Sequence, residues 1–232
     1  EMAESEGCDR KNLSLPENQI VLLEELSKLN KKIVLVLYGG SPFEIPAYDK
    51  INGILHMYLP GEEGGMATYE LLFGKVSPSG RLAETWPINR YSIPFINEFM
   101  KTPNDLYKES IFVGYRYYNT FNVPVRFPFG YGLSYAEFKY DNLQINYEDK
   151  KLIINVDVTN LSDIKASEVV EIFVEGVKSK VIKPARELKG FTKVSLDPHE
   201  TKTATIDIPI GELKYYINNK WVLEKGIYQI LI

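Results

Sequence analysis

A single cysteine, Cys8, stands in a chain of 232 residues. One thiol cannot close an internal disulfide, so the redox compartment stays open, with the cytoplasm favoured over secretion. Histidine is almost as scarce. His56 and His199 are the only two, and no group of His, Cys and carboxylates has ligand spacing, so no metal is expected. Excess charge of one sign is missing too: 27 Lys and Arg against 31 Asp and Glu leave a net charge of −4. Such mild acidity supplies no electrostatic reason to bind nucleic acid or an anionic membrane. No apolar run approaches the roughly 20 residues that span a bilayer. Gly39-Gly40 and Gly61 to Gly65 follow apolar runs, where nucleotide loops also sit, but neither a G-x-G-x-x-G nor a Walker pattern occurs. They read as tight turns at the rim of a site, and a nucleotide-binding reading would require phosphate contacts at Gly61 to Gly65. No cofactor is called for. No leader is visible, and Glu1-Met2-Ala3-Glu4 reads like the middle of a loop. Both ends are therefore expected to be boundaries within a longer chain.

What is present divides into two halves with different periods. The 44% apolar composition is that of a globular protein. Ser14-Leu15-Pro16-Glu17 has capping-box spacing, and Ile20, Leu22, Leu23, Leu26 and Leu29 then trace one helical face, closed by Asn30 and two lysines. The unbroken run Ile33 to Tyr38 suits a parallel strand buried on both faces, and Ile54 to Leu59 suits a second. Glu62 to Phe73 reads as another helix, with acids at its start and Gly74 at its end. From Gly74 to about Tyr135 the regularity fails, and six prolines punctuate a stretch rich in Tyr, Phe and Arg. Too apolar for a disordered linker, it is expected to be an ordered connector. After Tyr140 the period becomes two. Leu152, Ile154, Val156 and Val158 alternate with polar neighbours, and further strands are expected at 168–175, 188–195, 201–208 and 226–232. The fold class is thus an α/β partial domain, with crossover helices between parallel strands, followed by an all-β sandwich.

These segments, in this order, resemble the family 3 glycoside hydrolases, the β-glucosidase family. Glu4-Ser5-Glu6-Gly7-Cys8-Asp9-Arg10 is similar to the family's E-x-E-G-x-D-R loop, and Leu15-Pro16-Glu17-Asn18-Gln19 to its L-P-x-x-Q helix start. Pro60-Gly61-Glu62-Glu63-Gly64-Gly65 resembles P-G-x-E-G-G, and Leu72 to Leu82 resembles L-F-G-x-x-x-P-S-G-R-L, with Thr85-Trp86-Pro87 following as T-x-P. Val113-Gly114-Tyr115-Arg116-Tyr117-Tyr118 and Phe127 to Tyr135 resemble V-G-Y-R-Y-Y and F-P-F-G-Y-G-L-S-Y; Glu168-Val169-Val170 and Glu187 to Phe191 complete the set. Any one motif is weak, but six or more in register cover essentially the whole chain.

The resemblance implies that residues 1–90 are the second half of an α/β sandwich domain, 91–135 the connector, and 136–232 a fibronectin type III-like sandwich. It implies a partner as well: a (β/α)8 barrel of the same parent, which carries the nucleophilic Asp in a motif resembling S-D-W. The nearest string here, Ser162-Asp163-Ile164, reads as a sandwich turn. The implied activity is that of a retaining, exo-acting β-glucosidase whose substrate is a β-glucoside or short oligosaccharide. Glu6 matches the acid/base position, with Glu4 as the runner-up in the same loop. Asp9-Arg10 is expected to be an ion pair anchoring that loop, His56 a satisfied core histidine, His199 solvated, and Cys8 no nucleophile. The connector aromatics Tyr107, Phe112, Tyr115, Tyr117, Tyr118 and Phe121 are expected to pack rather than to stack on sugars. Without the barrel the chain alone is expected to be inactive. The alternative is a non-catalytic module that contacts carbohydrate or stabilises a partner domain, and an exposed aromatic row on the sandwich would favour it.

Overall fold

A computed structural model describes residues 7, 10–29, 31–99, 101, 103–104 and 106–232. Helix α1 (Glu17–Ser27) leads into strand β1 (Val34–Leu37), which pairs in parallel with β2 (Gly53–His56) in the register Val34↔Gly53 to Leu37↔His56. Residues 38–52 link the two strands through one 3-10 turn at Tyr48–Lys50, so the helices flank the pair, with α2 (Gly64–Leu72) following β2. Gly74 closes α2 at φ +68, a left-handed stop that glycine adopts without a Cβ clash, and Lys75 N caps the Glu70 carbonyl at 2.8 Å.

Four local expectations are corrected. Ser14 does not cap α1: its backbone forms a bridge with Glu44, while the extended Pro16 (φ −53, ψ 142) takes the N-cap position and its carbonyl accepts from Gln19 N and Ile20 N. A proline there has no N–H to satisfy, so the helix starts without a side-chain cap. The apolar face of α1 is only partly covered. Leu23 is buried and Ile20 packs on the core, but Leu22 and Leu26 are 59% and 39% exposed, and Leu29 lies beyond the helix end. Nor is β1 buried on both faces, since Val34 lies 58% exposed. A two-stranded sheet is too narrow to cover everything packed around it. Helix α2 begins at Gly64, so Glu62 and Glu63 precede it and its first turn holds no acid.

After α2 come β3 (Trp86–Pro87), α3 (Tyr115–Phe121) and β4 (Val125–Phe127), with β3 and β4 antiparallel. Trp86 and Phe127 join Leu15, Leu23, Leu37, Phe43 and Ile45 in the first hydrophobic core. The second core lies between two three-stranded antiparallel sheets. One has the order β5-β6-β9: β5 (Phe138–Glu148), β6 (Lys151–Asn160) and β9 (Thr201–Pro209). The other has the order β12-β7-β8: β7 (Ala166–Val177), β8 (Glu187–Leu196) and β12 (Ile227–Leu231). A hairpin of β10 (Tyr215–Ile217) and β11 (Lys220–Val222) completes this half, turning through Asn218 and Asn219, both at positive φ.

The expected alternation holds where the core forms: Ile154, Val156 and Val158 on β6 meet Val170 and Ile172 of β7 and Leu196 of β8. Gly190 on β8 packs directly against β9 of the other sheet, and a Cβ there would lie 2.5 Å from Ile206 Cγ2. The corner of the sandwich is held by Asn160, fully buried. Its Nδ2 donates to the Ile164, Asp197 and Leu196 carbonyls, and its Oδ1 accepts from Ser162 N.

Candidate active-site loop and the interface beside it

The proposed catalytic Glu6, with Glu4, Cys8 and Asp9, lies outside the described residues. What the structure does describe is the segment that follows, residues 10–14. Arg10 Nη1 donates to Ser41 Oγ (2.8 Å) and to the Pro42 carbonyl (3.3 Å), and Nη2 to the Ser14 carbonyl (3.3 Å). Its guanidinium sits 4.7 Å from the centroid of the Phe43 ring. Glu44 N donates to the Leu13 carbonyl (2.8 Å), and Arg90 Nη1 to the Lys11 carbonyl (3.1 Å). Glu44 in turn accepts from Arg90 N at 2.6 Å. Residues 10–14 are thus stitched to the turn that leaves β1. The expected ion pair of Arg10 with Asp9 lies outside the described residues, while Arg10's contacts with Ser41, Pro42 and Phe43 escaped sequence reading because they join positions about thirty apart.

Beneath this turn Phe43 meets Trp86 and His56 edge to face, with centroids 6.1 Å apart in each case. His56 is half-buried here: its ring nitrogens make no hydrogen bond of ordinary geometry among the described residues, although the Leu37 backbone lies near enough to oppose the effect of burial on the ring. Burial pushes its pKa below the ordinary histidine value, so the ring stays neutral and acts as an aromatic. Tyr58, just beyond β2, is held at φ 51, an uncommon conformation for a bulky residue. Its ring lies 4.1 Å from the His56 centroid, its hydroxyl accepts from Ala83 N at 3.2 Å, and burial raises its pKa.

The connector's aromatics pack, with exceptions. Tyr115 stacks on Phe129 at 4.8 Å, and its hydroxyl accepts from Leu188 N at 2.8 Å. Tyr118 is buried, which pushes its phenol up to about 12. Phe112 and Tyr117 both meet Phe121, itself half exposed, but Tyr107 is 90% exposed. In the sandwich, residues 162–164 form a bend, and exposed His199 contacts the exposed carboxylate of Asp163 at 2.8 Å. Tyr216 and Trp221 are exposed on the β10–β11 hairpin, but they meet edge to face at 62° and form no flat row.

The two halves are joined by a charged lock. Arg81 donates through Nη1 to the Gly132 carbonyl and through Nη2 to Glu168 Oε1, and Tyr140 OH donates to the same oxygen at 2.8 Å. Glu168 is buried. Tyr140 is raised far above its ordinary value by burial first and then by the Glu168 charge and hydrogen bond. Two glycines let the strap 128–134 come this close. A Cβ on Gly132 would lie 2.6 Å from the Gly80 carbonyl oxygen, and one on Gly130, at φ +78, would collide with the Glu171 carboxylate.

Burial raises the Glu171 pKa, with Arg81 opposing and Glu168 adding to the rise. The fold therefore favours its neutral form. That contribution is complete below the unfolded pKa, near 4.3, and is lost as pH rises through the raised folded value. Glu171→Gln is accordingly expected to melt higher than wild type at pH 7 and to match it near pH 4. Thermal unfolding at both pH values checks this, and a lower melting temperature at pH 7 would contradict it.

No helix among the described residues is long and apolar enough to cross a membrane, and no group of three or more His, Cys, Asp and Glu among them could hold a metal ion. Residues 1–135 match the glycosyl hydrolase family 3 C-terminal domain, and residues 168–232 match the fibronectin type III-like domain. The chain is 43% identical, over 99% of its length, to thermostable beta-glucosidase B of Acetivibrio thermocellus, and 41% identical over 99% to an exo-alpha-(1→6)-L-arabinopyranosidase of Bifidobacterium breve. It spans 31% of each. The crystal structure of a beta-glucosidase from Kluyveromyces marxianus in complex with glucose is 38% identical and superposes with a TM-score of 0.94, over 97% of this chain and 28% of that one. Motifs, two-part fold and likenesses agree, and the chain belongs to the family 3 glycoside hydrolases.

Proposed function

We propose that the chain is the C-terminal part of a retaining, exo-acting β-glucosidase that releases terminal β-D-glucosyl residues from β-glucosides or short oligosaccharides. The likeness to β-glucosidases along 99% of the chain carries this reading. We take residues 1–90 as the second half of the α/β domain, 91–135 as the connector and 136–232 as the sandwich. The missing partner is a (β/α)8 barrel bearing the nucleophilic Asp.

Glu6 is the acid/base. Retaining hydrolysis needs two carboxyl groups about 5 Å apart. One attacks the anomeric carbon while Glu6 protonates the leaving oxygen; Glu6 then takes a proton from the water that hydrolyses the glycosyl-enzyme. Burial against sugar and the charge of the nucleophile keep such a carboxyl protonated at neutral pH. Since the nucleophile is supplied from elsewhere, the 232-residue chain alone is inactive.

A second reading, an exo-acting arabinopyranosidase, is favoured by the 41% identical relative. Following the intact enzyme by proton NMR on nitrophenyl β-D-glucoside and nitrophenyl α-L-arabinopyranoside tests both. The first reading expects faster cleavage of the glucoside, with β-glucose appearing before mutarotation. Release of α-glucose first contradicts retention, and preference for the arabinoside selects the second reading.

A further inference from the structure

We propose that the strap 128–134 is a proton-operated latch between the two halves, closed while the Glu171 carboxyl beneath it is neutral and released when that carboxyl takes a charge.

Three observations carry it. On β7 the fully buried Val170 and Ile172 belong to the sandwich core, so Glu171 between them points to the opposite face. Its strand partner there, Phe191, is exposed, yet Glu171 is half-buried, because the strap lies over it. The Glu171 carboxyl carbon is 2.9 Å from where a Cβ on Gly130 would stand, so only bare backbone fits above it. Second, the carboxyl has no donor of its own. No hydrogen bond or ion pair reaches it among the described residues, and the terminal nitrogens of Arg81 already serve the Gly132 carbonyl and Glu168. Third, the strap is fastened to the first half and not to β7. Gly130 N donates to the Leu82 carbonyl and Leu82 N to the Tyr131 carbonyl, each at 2.9 Å, and the Ser77 and Ser134 hydroxyls meet at 2.8 Å. Lifting the strap off Glu171 therefore loosens the seam between the halves.

A neutral carboxyl tolerates this cover, but an ionised one without a donor does not, and opening the strap hydrates it. The groups that face it are Arg81 from the segment after α2, Glu168 from its own strand and Tyr140 from β5. Only Arg81 favours the charge; burial, the larger influence, and Glu168 oppose it. The sign follows from linkage. The latch is tightest below the open-state pKa, near 4.3, and opening rises by up to about tenfold per pH unit until the raised closed-state value is passed. Hydrogen exchange of the intact enzyme reads this directly, by mass spectrometry of peptides covering 128–134 and corrected for the intrinsic effect of pH. Between pH 4.5 and pH 7 the strap of the wild type is expected to lose at least about threefold in protection, while β6 keeps its own. In Glu171→Gln, which cannot ionise, the strap is expected to stay at the wild-type pH 4.5 level throughout. Gly130→Ala, which sets a Cβ against the carboxyl, is expected to expose the strap at both pH values.

The same fall in wild type and in Glu171→Gln overturns the proposal, because the proton then acts elsewhere. A fall shared equally by β6 overturns it as well, since that is loss of the whole sandwich and not release of a latch. Should Glu171→Gln not fold, Glu171→Met, equally unable to ionise, takes its place with the same expectation.

Discussion

Arg81→Met is expected to destabilise the protein by about 3–5 kcal/mol, the usual cost of stripping one partner from a buried ion pair. Glu168 on β7 is only 4% exposed and takes its charge partner from position 81, in the other half of the chain. Without the guanidinium, Tyr140 OH remains as a donor, and one neutral hydroxyl does not offset the desolvation of a carboxylate. The same substitution also frees the Gly132 carbonyl, so the strap 128–134 loses its grip on residues 80–82. The exchange should not be read as the net worth of the pair. Arg81→Met combined with Glu168→Leu is expected to regain most of the loss, because a matched apolar pair has no charge to desolvate. Urea unfolding of the single and double variants in the intact enzyme measures both. A single variant within about 0.5 kcal/mol of wild type, the range of ordinary surface substitutions, would mean the pair is not buried in solution.

The largest effect on activity is expected at Glu6. Glu6→Ala in the intact enzyme should lower kcat/KM for methyl β-glucoside by roughly 10²- to 10⁴-fold, the range for removal of a general acid. With dinitrophenyl β-glucoside the first step should proceed almost normally, since that leaving group departs without a proton. Steady-state turnover should still fall, because the variant cannot activate water and accumulates the glycosyl-enzyme. A burst of dinitrophenol followed by slow release is therefore the expected trace. Equal slowing of the burst and the steady phase would instead indicate a damaged binding site.

How far these features were legible depends on whether local pattern or distant packing decides them. The alternation at Leu152, Ile154, Val156 and Val158 located a strand because the sandwich buries one of its faces and not the other. Strand β5 has the same architecture around it yet carries no such signal. It lies at the edge of its sheet, with Ile145 and Tyr147 exposed, so no core imposed a pattern on it. The β10–β11 hairpin is three residues a strand, too short for periodicity to register. The capping box at Ser14 failed for a related reason: its spacing is local, but the backbone of Ser14 is engaged by Glu44, thirty residues away in the chain. At the candidate site, Glu6 is named through motif resemblance alone, since a glutamate near a terminus has no periodic signature, and it lies outside the described residues. The contacts of Arg10 with Ser41 and Pro42 had no local signal, because they join positions about thirty apart. The Arg81–Glu168 lock spans 87 positions. Each half lay within a motif, and nothing in the sequence said that the two motifs meet.

The central claim, that Glu6 is the proton donor of a retaining enzyme, is met most directly by azide. Glu6→Ala in the intact enzyme, stalled on dinitrophenyl β-glucoside, leaves an anomeric carbon open to a small anion that needs no general base. The account predicts that azide restores turnover and that the product is the β-glycosyl azide. Turnover unchanged by the substitution and by azide would contradict it, and would move the proton to Glu4 or to a residue outside this chain.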